Sequence, residues 1–480
     1  MTLLLTTFVL LAFIFGALSA LFGGIPALLL FAPILPIFFI LWDYRVGVVI
    51  LMLITTFQNT PFLPSFTGFN ITNYLTAMTL GSLILSVRFK RLPVAPFPRI
   101  IVWSYLLPVT LAALHGVPHL SELTPYMVHV MSSVYQSPKS YFSDLLIKPL
   151  FLLLLAWMLG TAMRNSQKPE RFLIPLTIAP LLPALAILVY IGTHGFNLKL
   201  MASPQGRTFL SALGIFANNF GILLSTAFAI LLFMLPSVKG WIRTGLVLSL
   251  GIIGAALILT FSRGSYMIAL LAVAYFILHN RQVKVSLLIL VVLSGLMLPF
   301  GHAILRRVTT GFTPSASIST LSTREQITSG RIGLWRKLVP EILHHPLLGS
   351  GLGSTAWSEP ALRGEITVNN PQNLYLDMLM DVGVVGTVLI LSFYWFVLRS
   401  FYRLAHSETL LPVFSAVFRG AWIGLIGMLA AGMAYGNYIT TPPQTYIWLM
   451  FGMALAFLDR SPSKPVPVTS GKQVCHQPLT

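Results

Sequence analysis

The run Thr260-Phe261-Ser262-Arg263-Gly264-Ser265-Tyr266 sets an arginine between two apolar stretches, 244–259 and 265–278. A charge at membrane depth costs roughly 3 kcal/mol on insertion scales, so one that persists there marks a task. Guanidinium is a planar, permanently charged fork, suited to gripping phosphate through paired hydrogen bonds. The small polar neighbours Ser262, Gly264 and Ser265 leave room for a ligand beside the backbone. The chemistry this suggests is the handling of an anion. The bland alternative is a loop-end arginine snorkelling to lipid headgroups.

Two more arginines have candidate surroundings. Arg331 stands in Ser329-Gly330-Arg331-Ile332-Gly333-Leu334-Trp335, with Arg336 close behind. Arg207 stands in Gln205-Gly206-Arg207, just ahead of an apolar run containing Asn218-Asn219. Adjacent asparagines in such a run are costly unless hydrogen-bonded, and bonding between helices accounts for them better than catalysis does. The run Pro346-Leu347-Leu348-Gly349-Ser350-Gly351-Leu352-Gly353-Ser354 lacks the lysine and hydroxyl residue of a phosphate-binding loop. It reads as a tight turn bringing a loop close to a ligand. Asn370-Pro371-Gln372-Asn373-Leu374-Tyr375-Leu376-Asp377 opens an apolar span. A helix N-terminus there would aim free N–H groups and partial positive charge at an anion.

No metal or cofactor pattern is present. His344 and His345 are adjacent, so they cannot share one helix face. There is no HExxH, no DxD and no convincing serine elbow.

The elements that must position these residues are membrane helices. The chain is 56% hydrophobic and 9% charged, against about 25% charged for soluble domains, and its mean hydropathy is +0.84. The class is an all-α polytopic membrane protein. Candidate spans are 2–22, 25–41, 46–57, 72–87, 100–117, 144–163, 172–192, 210–235, 244–260, 264–279, 286–303, 373–398, 420–435 and 443–458, giving 12–14 transmembrane helices. Met1–Gly23 has no basic n-region, so it reads as a first span rather than a cleaved signal. The single cysteine, Cys475, rules out an intrachain disulfide.

The net charge of +18 resembles a nucleic-acid signal, but its distribution excludes nucleic acid. The basic residues cluster between apolar runs: Arg88/Lys90/Arg91/Arg99, Arg164/Lys168/Arg171, Lys239/Arg243, Arg281/Lys284, Arg399/Arg403/Arg419 and Arg460/Lys464/Lys472. With a cytoplasmic N-terminus and every span crossing, all of them fall on the inner side, which is the positive-inside pattern. The opposite side carries the longer loops 58–71, 118–143, 193–209 and 304–372, which in a bacterium face the periplasm. The organisation is one integral membrane domain, 1–458, with the periplasmic loop 304–372, followed by a disordered cytoplasmic tail, 459–480. Inside the loop, Ser322-Thr323-Arg324-Glu325 fits a capping box. Ile332, Trp335, Val339 and Ile342 then predict an apolar stripe on an amphipathic helix that His345-Pro346 ends. Such a helix would lie on the outer membrane surface or cap a cavity.

Taken in order, Ser262-Arg263-Gly264, Ser329 to Trp335, His345-Pro346-Leu347-Leu348-Gly349-Ser350-Gly351, Gln372-Asn373-Leu374-Tyr375-Leu376 and Gly383-Val384-Val385-Gly386 resemble the O-antigen ligase/O-antigen polymerase superfamily over about 205–390. The resemblance implies a metal-independent glycosyltransferase of the GT-C kind in the bacterial inner membrane, its active site facing the periplasm. It implies a polyprenyl-diphosphate-linked glycan as donor and a glycan or lipid as acceptor. Its partners would be membrane lipids and other envelope glycan-assembly proteins. In that frame Arg207, Arg263 and Arg331 neutralise the departing diphosphate, with Gln372 beside them at the catalytic centre. Asn373, Tyr375 and Arg336 would bind substrate. Many ligase-like members carry histidine where this chain has Gln372. Glutamine cannot serve as a base, which shifts the expectation toward a polymerase. The proton acceptor is left open among Glu341, His344, His345, Glu365 and Asp377. The competing reading is a lipid-linked glycan flippase or other transporter, although no internal repeat of the kind such proteins show is visible. A structural membrane partner is the third.

Overall fold

The structure is a computed structural model that describes residues 34–57, 65–66, 69–128, 133–194, 205–214, 216–279, 331–434, 436, 438–439 and 441–458. The runs 2–22 and 286–303, the Ser322–Glu325 box, Arg281/Lys284 and the tail with Cys475 lie outside them.

The described chain is an antiparallel helical bundle. Its helices are α1 (Ile34–Trp42), α2 (Tyr44–Ile54), α3 (Ile71–Lys90), α4 (Arg99–Glu122), α5 (Pro138–Arg164), α6 (Pro169–Thr193), α7 (Ala217–Ser237), α8 (Gly240–Leu259), α9 (Arg263–His279), α10 (Arg331–His344), α11 (Leu374–Ala405), α12 (Pro412–Ala431) and α13 (Thr445–Leu455). Seven of them, α4 to α8 with α11 and α12, are long and apolar enough to cross a membrane. α2, α9 and α13 are shorter apolar helices. A small antiparallel ladder, Ser65–Phe66 with Phe69–Asn70, precedes α3. The chain is thus an all-α multi-pass membrane protein.

α7 is the hub. In its most apolar window 89% of the residues are buried, and it packs against α8, α9 and α12. With no hydrophobic drive between helices in lipid, close approach rests on small side chains. A Cβ on Gly420 of α12 would come within 2.6 Å of the Ile230 Cα on α7. A Cβ on Gly452 of α13 would come within 2.2 Å of the Ala156 carbonyl oxygen on α5. These contacts fix the spacing between α7 and α12 and between α5 and α13.

The two ends of the bundle differ. Arg88 and Lys90 end α3, Arg164 ends α5, Lys239 and Arg243 flank the start of α8, and Arg403 ends α11. Alternation of direction puts all of these at one end. The opposite end gathers the finish of α4, the start of α9, all of α10 and the start of α11.

α10 confirms a helix that stops at His344, ahead of Pro346. Its buried face differs from the expected stripe. Leu338 is fully buried, and Leu334, Trp335 and Ile342 pack with it against Met127, Ala361, Ile366, Leu376 and Met380. Val339 is 46% exposed. The face therefore runs 334/335/338/342 rather than 332/335/339/342, because the helix leans on α11 at Leu376 and Met380.

Gly452→Val should cost about 1–3 kcal/mol or more through overpacking against α5. It should appear as a lowered melting temperature in detergent. Gly245→Ala, where a Cβ meets nothing within 4 Å, should leave melting unchanged.

Candidate functional site

The N-terminal part of α11 is broken. Gly383 holds φ +65° and ψ −171° in mid-helix, a conformation open to glycine and strained for other residues. The break removes the helical partners of the Val384 and Val385 N–H groups and of the Met380 and Asp381 carbonyls. The segment 346–351 supplies all four. Val384 N–H donates to the Pro346 carbonyl (2.8 Å) and Val385 N–H to Leu347 (3.2 Å), while Ser350 and Gly351 N–H donate to Met380 (2.8 Å) and Asp381 (3.1 Å). Bare backbone groups in hydrocarbon each cost several kcal/mol, so a broken helix there needs such a substitute. The approach is close enough that a Cβ on Gly349 would fall 2.5 Å from the Asp381 carbonyl. A Cβ on Gly383 would fall 2.4 Å from that of Leu347. This close approach is why the two glycine motifs occur in one chain.

Asp381 fixes the same junction from the side. Its Oδ1 accepts from Ser354 N–H (2.9 Å) and Ser354 Oγ (2.7 Å), and its Oδ2 accepts from the Tyr438 hydroxyl (3.1 Å). Burial, aided by the nearby carboxylates, pushes the Tyr438 hydroxyl well above its usual pKa, so it stays a donor. The loop is also tied to α4 and α5. Leu352 N–H donates to the Ala112 carbonyl (2.9 Å), and the Tyr141 hydroxyl donates to the Leu352 carbonyl (2.7 Å).

Ahead of the break, the polar run before α11 meets α10. Arg331 Nε donates to Gln372 Oε1 at 3.2 Å, and Trp335 Nε1 donates to the Pro371 carbonyl at 2.8 Å. Arginine is donor-only, so the glutamine oxygen faces it and the NH₂ group turns elsewhere. Gln372 has φ +53°, unusual for a side-chain-bearing residue. Asn370 Oδ1 steadies it by accepting from the Gln372 N–H at 3.0 Å. Asn373 caps α11, its Oδ1 accepting from the Tyr375 and Leu376 N–H groups.

Arg263 opens α9 and is half-buried. With Tyr266, Met267, Leu270, Leu271 and Ala274 it lines an open groove of about 480 Å³. These positions recur at helical spacing, so the groove is one apolar face of α9 with a cation at its head. The groove's head and the Arg331–Gln372 pair belong to one neighbourhood. Gly264 faces Ala431 at the end of α12, and the next residue, Gly432, accepts from the Leu374 N–H (2.8 Å) one position after Asn373. The Tyr375 hydroxyl ties the same corner together by donating to the Leu429 carbonyl at 2.8 Å.

The structure thus joins Arg331 to Gln372 and sets Arg263 on the same rim. Arg207 lies on a 3₁₀ helix, Gln205–Leu213, leading into α7; its side chain is outside the described residues. Arg336 is exposed and rotated away from the Arg331–Trp335 face. Asn373 and Tyr375 use their oxygens on the fold. Asn218 and Asn219 sit in the first turn of α7, half-buried, rather than in its middle. Among the possible proton acceptors, Glu365 pairs with Lys337 (3.3 Å), while Glu341, His344 and His345 line a separate cavity. Asp377 is buried one turn into α11. Sequence reasoning passed over Asp381, Ser354 and Tyr438. The signal was available, since a carboxylate in mid-span is as costly as Arg263. Among the described residues, no group of three or more His, Cys, Asp or Glu is placed to hold a metal ion.

Asp381→Ala would leave the Ser354 and Tyr438 hydroxyls without their acceptor in a buried site, while the Ser354 N–H keeps the Gly351 carbonyl. It should cost on the order of 3 kcal/mol or more, measured by thermal unfolding in detergent. Tyr438→Phe, which removes one donor and leaves two, should cost about 1 kcal/mol.

Residues 244–391 match the family model described as O-antigen ligase. This segment contains Arg263, Arg331, Gln372 and the spliced break in α11. A search of curated proteins finds no match. The chain therefore resembles the O-antigen ligase/polymerase superfamily over that segment, and the resemblance supports a ligase- or polymerase-type glycosyltransferase in general terms.

Proposed function

We propose that this protein transfers a glycan from a polyprenyl diphosphate carrier to a sugar hydroxyl, at the periplasmic face of the bacterial inner membrane. The observation that carries the reading is the apolar groove along α9 with Arg263 at its head, sharing a rim with the Arg331–Gln372 pair. A prenyl chain needs a greasy slot and its diphosphate needs fixed positive charge at the slot's polar end. The groove and the arginines provide both. The sidedness rests on the basic residues gathered at the opposite end, which favour the cytoplasm.

The chemistry follows from charge. Breaking the bond between the sugar anomeric carbon and the phosphate oxygen leaves a diphosphate whose negative charge grows as the bond lengthens. Preorganised cations in a low-dielectric site lower that barrier. Arg263 and Arg331 supply this charge without a metal, and the Gln372 NH₂ adds a donor toward a phosphate or sugar oxygen. The acceptor hydroxyl attacks the anomeric carbon and gives up its proton. Asp377 takes it: of the five groups the sequence left open, it is the one on the first turn beyond Gln372 and Asn373, while Glu365 is held by Lys337. The partners of the protein are then the lipid-linked donor, a glycan or lipid acceptor, and other envelope glycan-assembly proteins.

The reading is tested in a strain lacking the gene, complemented with variants, by resolving surface and lipid-linked glycan by repeat number. Arg263→Ala and Arg331→Ala should each lower transfer on the order of 10²-fold or more while the protein still inserts. Arg331→Lys should rescue poorly, because lysine lacks the fork. Asp377→Asn should lose transfer, and Glu365→Gln should keep it. Accumulation of single repeat units in the null strain would identify a polymerase. Long chains stranded on the carrier would identify a ligase. An unchanged profile would refute the transfer reading.

A further inference from the structure

A second cavity, of about 390 Å³, opens at the outer end away from the arginines. That volume is within the roughly 300–1,000 Å³ typical of small-molecule sites. Glu122, Glu341 and Glu359 line it, with His119, His344 and His345. Three of the chain's twelve acidic residues thus meet at one cavity of a protein whose net charge is +18. Two of these carboxylates are ion-paired, Glu122 with His119 and Glu359 with Arg363.

Its hydrogen-bonding character is mixed, with carboxylate and hydroxyl lone pairs beside the N–H groups of three imidazoles. Carboxylates accept only. Two of the three lining serines donate their protons to the protein: Ser354 Oγ to Asp381 (2.7 Å) and Ser358 Oγ to the Thr355 carbonyl (2.8 Å). Their lone pairs are what remain for a ligand. Trp357, whose indole N–H donates to the Ser350 carbonyl (3.1 Å), is 6% exposed and backs the cavity beneath the His119 ring stacked on it at 5.5 Å. A cavity that offers acceptors and donors together beside an imidazole ring suits a ligand rich in hydroxyl groups, which both donate and accept, and a saccharide is such a ligand.

The floor is rigid. Ser350, Ser354 and Met380 belong to the splice between the glycine-rich loop and the broken α11. The distance from the arginines is also informative. The cavity is lined by the last turn of α10, whereas Arg331 begins this 14-residue helix. At about 1.5 Å per residue the two ends stand roughly 20 Å apart, a span of several sugars.

We infer that this cavity is a saccharide subsite, which grips a neutral or amino-sugar segment of the glycan several units away from the bond being transferred. The inference rests on the glycan-transfer reading and adds a place where the chain is held between or during transfers. A site of this kind raises acceptor affinity and favours longer products without touching the reacting atoms.

The test uses full-length protein in nanodiscs. The probe is the producing strain's own surface polysaccharide, released from lipid by mild acid and sized into single repeats and longer fragments. Calorimetry should show tighter binding of the longer fragments. Glu341→Gln combined with His344→Gln should weaken that binding about tenfold, the worth of one hydrogen bond to a charged group. In transfer assays the same variant should raise the acceptor KM about tenfold with kcat within about twofold, as for loss of uniform binding. Glu122→Gln, on the opposite wall, should act in the same direction and gives an independent reading if the double variant melts early. Absence of polysaccharide binding by the unmodified protein would overturn the inference. So would equal binding and equal KM in variants that melt normally, or binding of inorganic phosphate at this cavity in preference to the glycan. The transfer reading fails separately, if Arg263→Ala and Arg331→Ala transfer normally or if the null strain's glycan profile is unchanged.

Discussion

The half of this protein away from the basic clusters depends on a break in a membrane helix being made good by another segment. Gly383 interrupts α11, and the four backbone groups set loose there bond to the 346–351 segment. In hydrocarbon such groups have no water to turn to, so the break and the loop can exist only together. Asp381, Ser354 and Tyr438 lock the pair. The loop's further bonds to α4 and α5 extend the constraint to the neighbouring helices. α10 and the polar run before α11 are both attached to this junction, and through them the Arg331–Gln372 pair takes its place.

The arrangement separates two kinds of polarity on one rim. Cations stand where α9 and α10 begin, beside the apolar face of α9. Carboxylates, imidazoles and hydroxyls stand where α10 ends. On the proposed reading, a diphosphate would lie with the first and a sugar chain with the second. The stiffness of the floor matters because positioned charges stabilise a transition state only if they need not reorganise as the reaction proceeds.

Much of this was legible in the sequence. Apolar run length gave the helical class, and charge placement gave a consistent end-to-end polarity. Arg263 and the Arg331 segment were visible because a charge or a motif stood out from its surroundings. Other features were hidden for physical reasons. The splice consists of backbone bonds between segments about thirty residues apart, which leave no side-chain pattern beyond the glycines that permit them. Asp381 looked like one more polar residue in a span until its three donors were in place. The α10 stripe was read one position off at Val339, because spacing fixes a helix but not which face its neighbours choose. Arg336 matched a basic pattern, yet five residues from Arg331 it points to another side. Asn373 and Tyr375 look like ligands in a motif, but their oxygens cap α11 and join it to α12.

The central claim is that the arginine rim breaks a sugar–diphosphate bond rather than carrying the lipid across the bilayer. The most direct measurement is release of polyprenyl diphosphate from a labelled lipid-linked glycan by the purified protein in nanodiscs, with a metal chelator present. The account predicts release matched one-for-one by glycan appearing on the acceptor, with neither in the Arg263→Ala/Arg331→Ala protein. Movement of intact donor between leaflets with the bond unbroken, or release that persists without both arginines, would contradict it.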